Sequence, residues 1–242
     1  MKWVWPSISL LCSSWPQPPL LAVITELSAC DSEEEVAWTI HQLENATAAD
    51  QVDLIQVRVS KTEGNEARVT ALIQGLQEIQ KKRRSFRLTV TSDWWETAIQ
   101  LGADGVHVKE AIRAELVPKL MRSGIEVKKM SLGTSVHSPE ANIDPSINYL
   151  FVGTCYPTPS HPEKTVFEGP SLPGFVKAEL VQDRVCFAIG GIGVSNCHEP
   201  IELGADGVAV ISAVMQSNHP AATVADLKTK MRLAYEKRQT DC

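Results

Sequence analysis

The sequence predicts an α/β protein, a single-domain (β/α)8 barrel over residues 20–237 behind a short N-terminal extension at residues 1–19. Three observations carry this. First, eight short runs rich in Val, Ile, Leu and aromatics alternate with eight helical patterns. Such alternation implies parallel pairing through βαβ crossovers. Second, most of the runs are continuously apolar rather than alternating, as strands buried on both faces read. Third, Leu101-Gly102-Ala103-Asp104-Gly105-Val106 returns as Leu203-Gly204-Ala205-Asp206-Gly207-Val208, 102 positions later (203 minus 101). That is close to half a barrel of this kind, which typically takes ~250 residues and can manage on ~200.

In chain order the elements are these. Strand Leu20–Thr25 precedes helix Glu33–Asn45, and strand Asp53–Val59 precedes helix Ala67–Lys82. The basic run Lys81-Lys82-Arg83-Arg84 ends that helix, where cations favour the negative end of the macrodipole. Strand Arg87–Thr91 precedes helix Trp95–Leu101, and strand Gly105–Val108 precedes helix Ala111–Arg122. Strand Lys129–Thr134 is followed by a very short helix, Pro139–Asn142. Strands Tyr149–Gly153, Arg184–Ile189 and Gly207–Ile211 precede helices Leu172–Val181, Ser195–Leu203 and Ala221–Lys237. In each copy of the repeat, Leu ends a helix, Gly sits just past it where φ can be positive, and Ala-Asp turns the chain into the next strand.

Composition narrows the function classes. Of 242 residues 43% are hydrophobic and 21% charged, near globular averages, so the chain is not a disordered one. Asp and Glu (29) outnumber Lys and Arg (23), a net charge of −6. That argues against a general nucleic-acid binder, which shows a basic face to phosphates. Cys12, Cys30, Cys155, Cys186, Cys197 and Cys242 form no C-x-x-C pair and no cluster with His at zinc-finger spacing. Scattered thiols fit a reducing, cytoplasmic setting. No stretch reaches the ~20 apolar residues of a membrane span. Residues 1–11 look faintly like a targeting signal, but Pro6 interrupts the apolar stretch and Pro16, Pro18 and Pro19 read as a linker.

In such barrels the chemistry sits at the C-terminal ends of the strands. The second strand offers Gln56 and Arg58 on one face, and the third ends in Ser92-Asp93. A buried arginine needs an anionic partner, in the core or in a substrate. The fourth strand carries His107, which reads as a core histidine. The fifth runs into His137, a candidate acid/base group because imidazole titrates near neutrality. After the sixth comes a polar loop with Cys155, Thr158, Ser160 and His161. Cys155 reads as packing. The loop's hydroxyls suit a phosphate or pyrophosphate, although Pro-Thr-Pro-Ser is also an ordinary turn. Gly190-Gly191 after the seventh strand exposes backbone N–H groups, and Ser212 after Ile211 opens a short helix. Phosphate is often held between these last two loops. A phosphate site of Gly190, Gly191, Ile211 and Ser212 is therefore expected.

These residues resemble the thiamine phosphate synthase/TenI family from residue 20 to 236. The resemblance is carried by Ile55-Gln56-Val57-Arg58, Ser92-Asp93, Leu101–His107, Leu132–Ser138, Tyr156-Pro157-Thr158, Ala188–Ile192 and Gly204–Ser212. It implies a TIM barrel and a homodimer. Synthases of the family join a hydroxymethylpyrimidine pyrophosphate to a thiazole phosphate with Mg²⁺ and release pyrophosphate. TenI-type members catalyse an aromatising proton shift on a thiazole carboxylate phosphate, with the histidine matching His137 as acid/base and no cofactor. By position, the thiazole phosphate would sit on Gly191, Ile211 and Ser212. The pyrimidine side would involve Gln56 and Arg58, and Asp93 matches a Mg²⁺ ligand.

The departures from the family pattern fall on the pyrimidine pyrophosphate side. Ser60 stands where a lysine is expected, with Lys61 adjacent. Ser92 replaces an asparagine, Trp94 an arginine, Ile112 the second Mg²⁺ carboxylate, and His161 a loop lysine, with Lys164 nearby. The first reading is therefore a TenI-like thiazole tautomerase. The alternative is a Mg²⁺-dependent thiamine phosphate synthase, and a third reading is a non-catalytic thiazole or thiamine phosphate-binding protein.

Overall fold

The structure, a computed structural model, describes residues 15–83, 86–122, 130–160 and 162–240. Strands β1 (Leu20–Ile24), β2 (Leu54–Val57), β3 (Arg87–Thr91), β4 (Gly105–Val108), β5 (Ser131–Val136), β6 (Tyr149–Val152), β7 (Val185–Ile189) and β8 (Gly207–Val210) form a closed parallel barrel in sequence order. Closure is made by β1 on β8, with Leu20 opposite Gly207 and Val23 opposite Val210. Around it run α1 (Glu33–Ala46), α2 (Glu66–Arg83), α3 (Trp95–Leu101), α4 (Arg113–Arg122), α5 (Leu172–Glu179), α6 (His198–Glu202), α7 (Ser212–Met215) and α8 (Pro220–Thr240). α1 starts where Ser32 Oγ accepts the Glu35 N–H at 3.1 Å, with three glutamates in the first turn to favour the dipole.

The expected helix at Pro139–Asn142 is a turn followed by irregular chain. Ser138 Oγ accepts the Glu140 N–H and Asp144 Oδ1 accepts the Ser146 N–H. Such local side-chain bonds compete with helical ones, and Pro139 and Pro145 leave little room between them. The helix expected at Ser195–Leu203 keeps only α6, because Asn196 is committed to the preceding loop through Gly193 N–H and Gly191 C=O.

Alternate residues of each strand point inward. Leu20, Ala22, Ile24, Leu54, Tyr149, Phe151, Phe187 and Ala209 form one buried cluster inside the barrel. The intervening residues, such as Leu21, Val23, Ile55 and Val57, pack outward under the helices. The large rings come from β6 and β7, and facing strands yield space with glycine. A Cβ on Gly133 would lie 2.0 Å from Tyr149 Cζ, overlapping the hydroxyl end of the ring. At the N-terminal mouth Trp15 packs edge-on against Tyr149 and Phe187, at 5.8 and 5.9 Å between ring centres. The Arg87 guanidinium lies 4.2 Å from the Trp15 ring centre and donates to Ser131 Oγ.

The repeated Ala-Asp turn proves part of a larger pattern. Asp104 Oδ2 accepts the N–H of Leu88 in β3, and Asp206 Oδ2 accepts the N–H of Cys186 in β7. Asp53 does the same for Leu21 in β1, and Asn148 for Leu132 in β5. Thus the residue leading to each even strand clips the second residue of the odd strand before it. The bonds span 2.7–2.9 Å. Lys228 pairs with Asp53 and Lys177 with Asp206, both well inside 4 Å.

Candidate active site

The inward alternation continues past the strand ends and lines a cavity of about 430 Å³ at the C-terminal mouth. Ile24, Gln56, Arg58, Thr91, His107, Lys109, Ser135 and His137 form one wall. Thr154, Thr158, Ser160, Gly190, Gly191, Ile211 and Ser212 form the wall opposite. Of the residues the sequence singles out, Gln56, Arg58, His137, Thr158, Ser160, Gly190, Gly191, Ile211 and Ser212 meet here. Ser92 and Asp93 do not line the cavity, and His161 lies outside the described residues.

The Gly190–Gly191 end has a defined geometry. Gly190 and Gly191 have φ of 101° and 64°, the left-handed region that favours glycine. A Cβ at Gly190 would strike the Thr154 side chain, and one at Gly191 the Pro157 carbonyl oxygen. Asn196 braces the loop, its Nδ2 donating to Gly191 C=O at 3.0 Å and its Oδ1 accepting Gly193 N–H at 2.8 Å. Ser212 opens α7, in which the Val214 and Met215 N–H groups go to the Ile211 carbonyl and those of Ser212 and Ala213 have no partner within the helix. Backbone donors and a hydroxyl therefore face one corner.

The loop after β6 is latched down beside that corner. Cys155 and Tyr156 donate their N–H groups to Ile189 and Gly190 carbonyls, extending the β6–β7 ladder. Glu168 accepts the Thr154 N–H at 2.5 Å and the Lys164 ammonium at 2.7 and 2.8 Å. Burial alone would raise the Glu168 carboxyl, but Lys164 and the Thr154 N–H outweigh it and hold it below the usual range. A depressed carboxyl stabilises the latch above its ordinary titration range, about pH 4.3, and that stabilisation is lost as pH falls through the lower folded value. Glu168→Gln is expected to speed hydrogen exchange of the Thr154 amide about tenfold at pH 7, the effect of about one lost charged hydrogen bond. Unchanged exchange would show that the latch does not hold the loop.

On the opposite wall several polar atoms await a partner. Gln56 is buried and its Oε1 has none, and the buried Arg58 Nε has none. Burial lowers the Arg58 pKa and Glu26 partly restores it. His107 is fully enclosed, its ring 4.6 Å from Phe151 in a stacked pose. Thr89 Oγ1 donates to Ile55 C=O and accepts from Tyr149 OH. The Tyr149 oxygen is then left to accept from His107 Nδ1, and His107 Nε2 accepts from Ser135 Oγ. Burial pushes His107 down to about 3, so the ring is neutral. His137 differs. It is exposed at the rim and its Nδ1 donates to the Gly153 carbonyl, which leaves Nε2 as a free acceptor. Burial pushes the Cys155 thiol up to about 12, so it is no nucleophile at neutral pH.

Asp93 is where the structure departs most from expectation. It sits in the 3-10 turn Ser92–Trp94 behind the wall, and its Oδ2 is 2.6 Å from Lys109 Nζ. Lys109 leaves β4 two residues after His107, on the same face, and lines the cavity. Sequence reading passed over it, although that spacing was there to be read. Ser92 Oγ accepts the Lys109 N–H at 3.3 Å. Neither Lys61 nor Lys164, the lysines beside the replaced positions, is on the cavity wall. Lys61 lies 5.3 Å from the Trp94 ring centre and Lys164 is in the latch. Mg²⁺ wants hard oxygen donors, commonly one or two carboxylates beside phosphate oxygens. Here the one carboxylate is neutralised by an ammonium, and the second position is Ile112. No group of three His, Cys, Asp or Glu suited to a metal occurs among the described residues. The donor set does not fit Mg²⁺.

Comparison with known proteins agrees with this architecture. The family model described as thiamine monophosphate synthase matches residues 21–214. The thiamine-phosphate synthase of Histophilus somni is 35% identical over 142 residues, 57% of this chain and 62% of that protein. The match thus spans less than two thirds of that relative's length. The thiamine-phosphate synthase of Geobacillus thermodenitrificans is 32% identical over 168 residues, covering 65% and 71%. That of Mycobacterium sp. (strain JLS) is 28% identical over 225 residues, covering 88% and 95%. Among solved structures, the thiamine phosphate pyrophosphorylase from Pyrococcus furiosus aligns with a TM-score of 0.66 at 23% identity, over 89% of this chain and 96% of that one. At that identity the structural likeness speaks for the fold, and the sequence matches speak for the family: the chain belongs to the thiamine monophosphate synthase family.

Proposed function

We propose that the cavity joins two phosphorylated substrates, a thiazole phosphate and a hydroxymethylpyrimidine pyrophosphate, to give thiamine phosphate and pyrophosphate. The observation that carries the reading is a cavity with the Gly190–Gly191 loop and Ser212 on one wall and the cationic side chains of Arg58 and Lys109 on the other. Gly190, Gly191, Ile211 and Ser212 would take the thiazole phosphate. Arg58 and Lys109, with Gln56 on the same lining, would take the pyrophosphate. In the reaction the thiazole nitrogen forms a bond to the pyrimidine methylene carbon while the bond from that carbon to pyrophosphate oxygen breaks. The leaving group departs with the electron pair, and fixed cations aimed at it lower the barrier. The relatives' names favour this reading over the tautomerase that the sequence reading puts first.

Incubation with both substrates is expected to yield thiamine phosphate, and Arg58→Gln to lower kcat/KM about hundredfold, as for a charge-assisted contact made to the leaving group. No product from the wild type would overturn the reading. One observation favours a second: His137 presents a free Nε2 at the rim, a base for a proton shift on a thiazole carboxylate phosphate. Formation of the aromatic product in the wild type but not in His137→Asn would establish that instead. Tight thiazole phosphate binding with neither turnover would leave a binding protein.

A further inference from the structure

We infer that the Lys109 ammonium is the resident cation of the pyrophosphate end, standing beside Asp93 where a divalent ion would otherwise be needed. The inference rests on the reading of the cavity as a site for two phosphorylated partners. Three facts lead to it. Lys109 lines the cavity and Asp93 does not. The ammonium is 2.6 Å from Asp93 Oδ2, so the carboxylate is already neutralised by a cation belonging to the chain. Ile112, in the turn just before α4, offers no oxygen.

The arrangement has a chemical consequence. An ammonium carries three N–H donors. One is spent on Asp93, which leaves two for phosphate oxygens at the wall. The Lys109 side chain is half exposed while the Asp93 side chain is 19% exposed, so the cationic head is the accessible member of the pair. Its backbone is fixed by the Lys109 N–H on Ser92 Oγ, which ties the start of the loop after β4 to the turn after β3. Arg58 Nε, buried and without a partner, adds a second donor from β2's end. Asp93 thereby pairs with Lys109 and is no metal ligand, while the backbone bond to Ser92 keeps Lys109 in place. Binding of a pyrophosphate group follows without metal.

The test is calorimetric titration with inorganic pyrophosphate, once with EDTA and once with Mg²⁺, on the wild type, Lys109→Ala and Asp93→Asn. The wild type is expected to bind equally well in both buffers. Lys109→Ala is expected to weaken binding tenfold or more, while Asp93→Asn keeps it within threefold. Mn²⁺ added to the wild type is expected to keep its full free-ion electron paramagnetic resonance signal. Binding that needs Mg²⁺, survives Lys109→Ala and disappears in Asp93→Asn would overturn the inference, as would bound Mn²⁺ or an absence of pyrophosphate binding in every buffer. Unchanged circular dichroism checks that both variants fold. Thiazole phosphate titrated into the same samples follows the other wall. If it fails to bind while pyrophosphate binds as described, the synthase reading falls and the role of Lys109 stands.

Discussion

Gly191→Ala is expected to weaken thiazole phosphate binding about hundredfold. Two effects act together. At φ 64° a side chain costs about 1–2 kcal/mol of backbone strain. The new methyl would also overlap the Pro157 carbonyl oxygen, so the loops after β6 and β7 must part. Losing even two charge-assisted N–H contacts at about 1.5 kcal/mol each accounts for the factor. Gly102→Ala is the control. Its φ is 70°, no atom lies within 4 Å of the added carbon, and it is far from the cavity. That variant is expected to lose about 1 kcal/mol of stability and no affinity. Calorimetry with thiazole phosphate decides the matter, and a loss of threefold or less in Gly191→Ala would remove the phosphate corner.

Gly133→Ala is expected to lower the melting temperature by about 10 °C. The added carbon would overlap the hydroxyl end of the Tyr149 ring, which is fully buried. Overpacking alone costs about 1–3 kcal/mol. Moving the ring also breaks its bonds to His107 and Thr89, and a buried polar group left alone costs about 1–3 kcal/mol more. A domain of this size loses about 2–4 °C per kcal/mol. Adding Tyr149→Leu to Gly133→Ala is expected to restore part of the loss, since residues in contact are not additive. Differential scanning calorimetry of the wild type, Gly133→Ala, Tyr149→Leu and the double variant measures this. A shift under 2 °C in Gly133→Ala would contradict the packing inside the barrel.

The barrel was legible because its strands are buried on both faces and because one turn recurs half a barrel apart. Both signals are local. The helix expected after β5 misled because an apolar residue or two at helical spacing weighs less than Ser138 and Asp144 bonding their own neighbours. That Gly190, Gly191 and Ser212 meet at the cavity was legible from Gly-Gly and a hydroxyl at strand ends. The opposite wall was legible only in part. Arg58 and His107 follow from strand parity, and so does Lys109, but its partner Asp93 is 16 residues earlier. That pairing depends on the 3-10 turn after β3, which carries Asp93 off the wall, and no periodicity reports it. Trp15 lay in a proline-rich stretch that reads as linker, yet its ring seals the barrel's lower mouth.

The four clips at Asp53, Asp104, Asn148 and Asp206 place one responsibility on the face away from the cavity. Each sets how far one strand is staggered against the next, in every other strand pair around the circumference. Stagger is thus dictated from below, by groups that never meet a substrate. Loops above can trade a carboxylate for isoleucine without disturbing the frame that aims them. A lineage built this way is free to exchange one cation for another at its mouth while its architecture stays put.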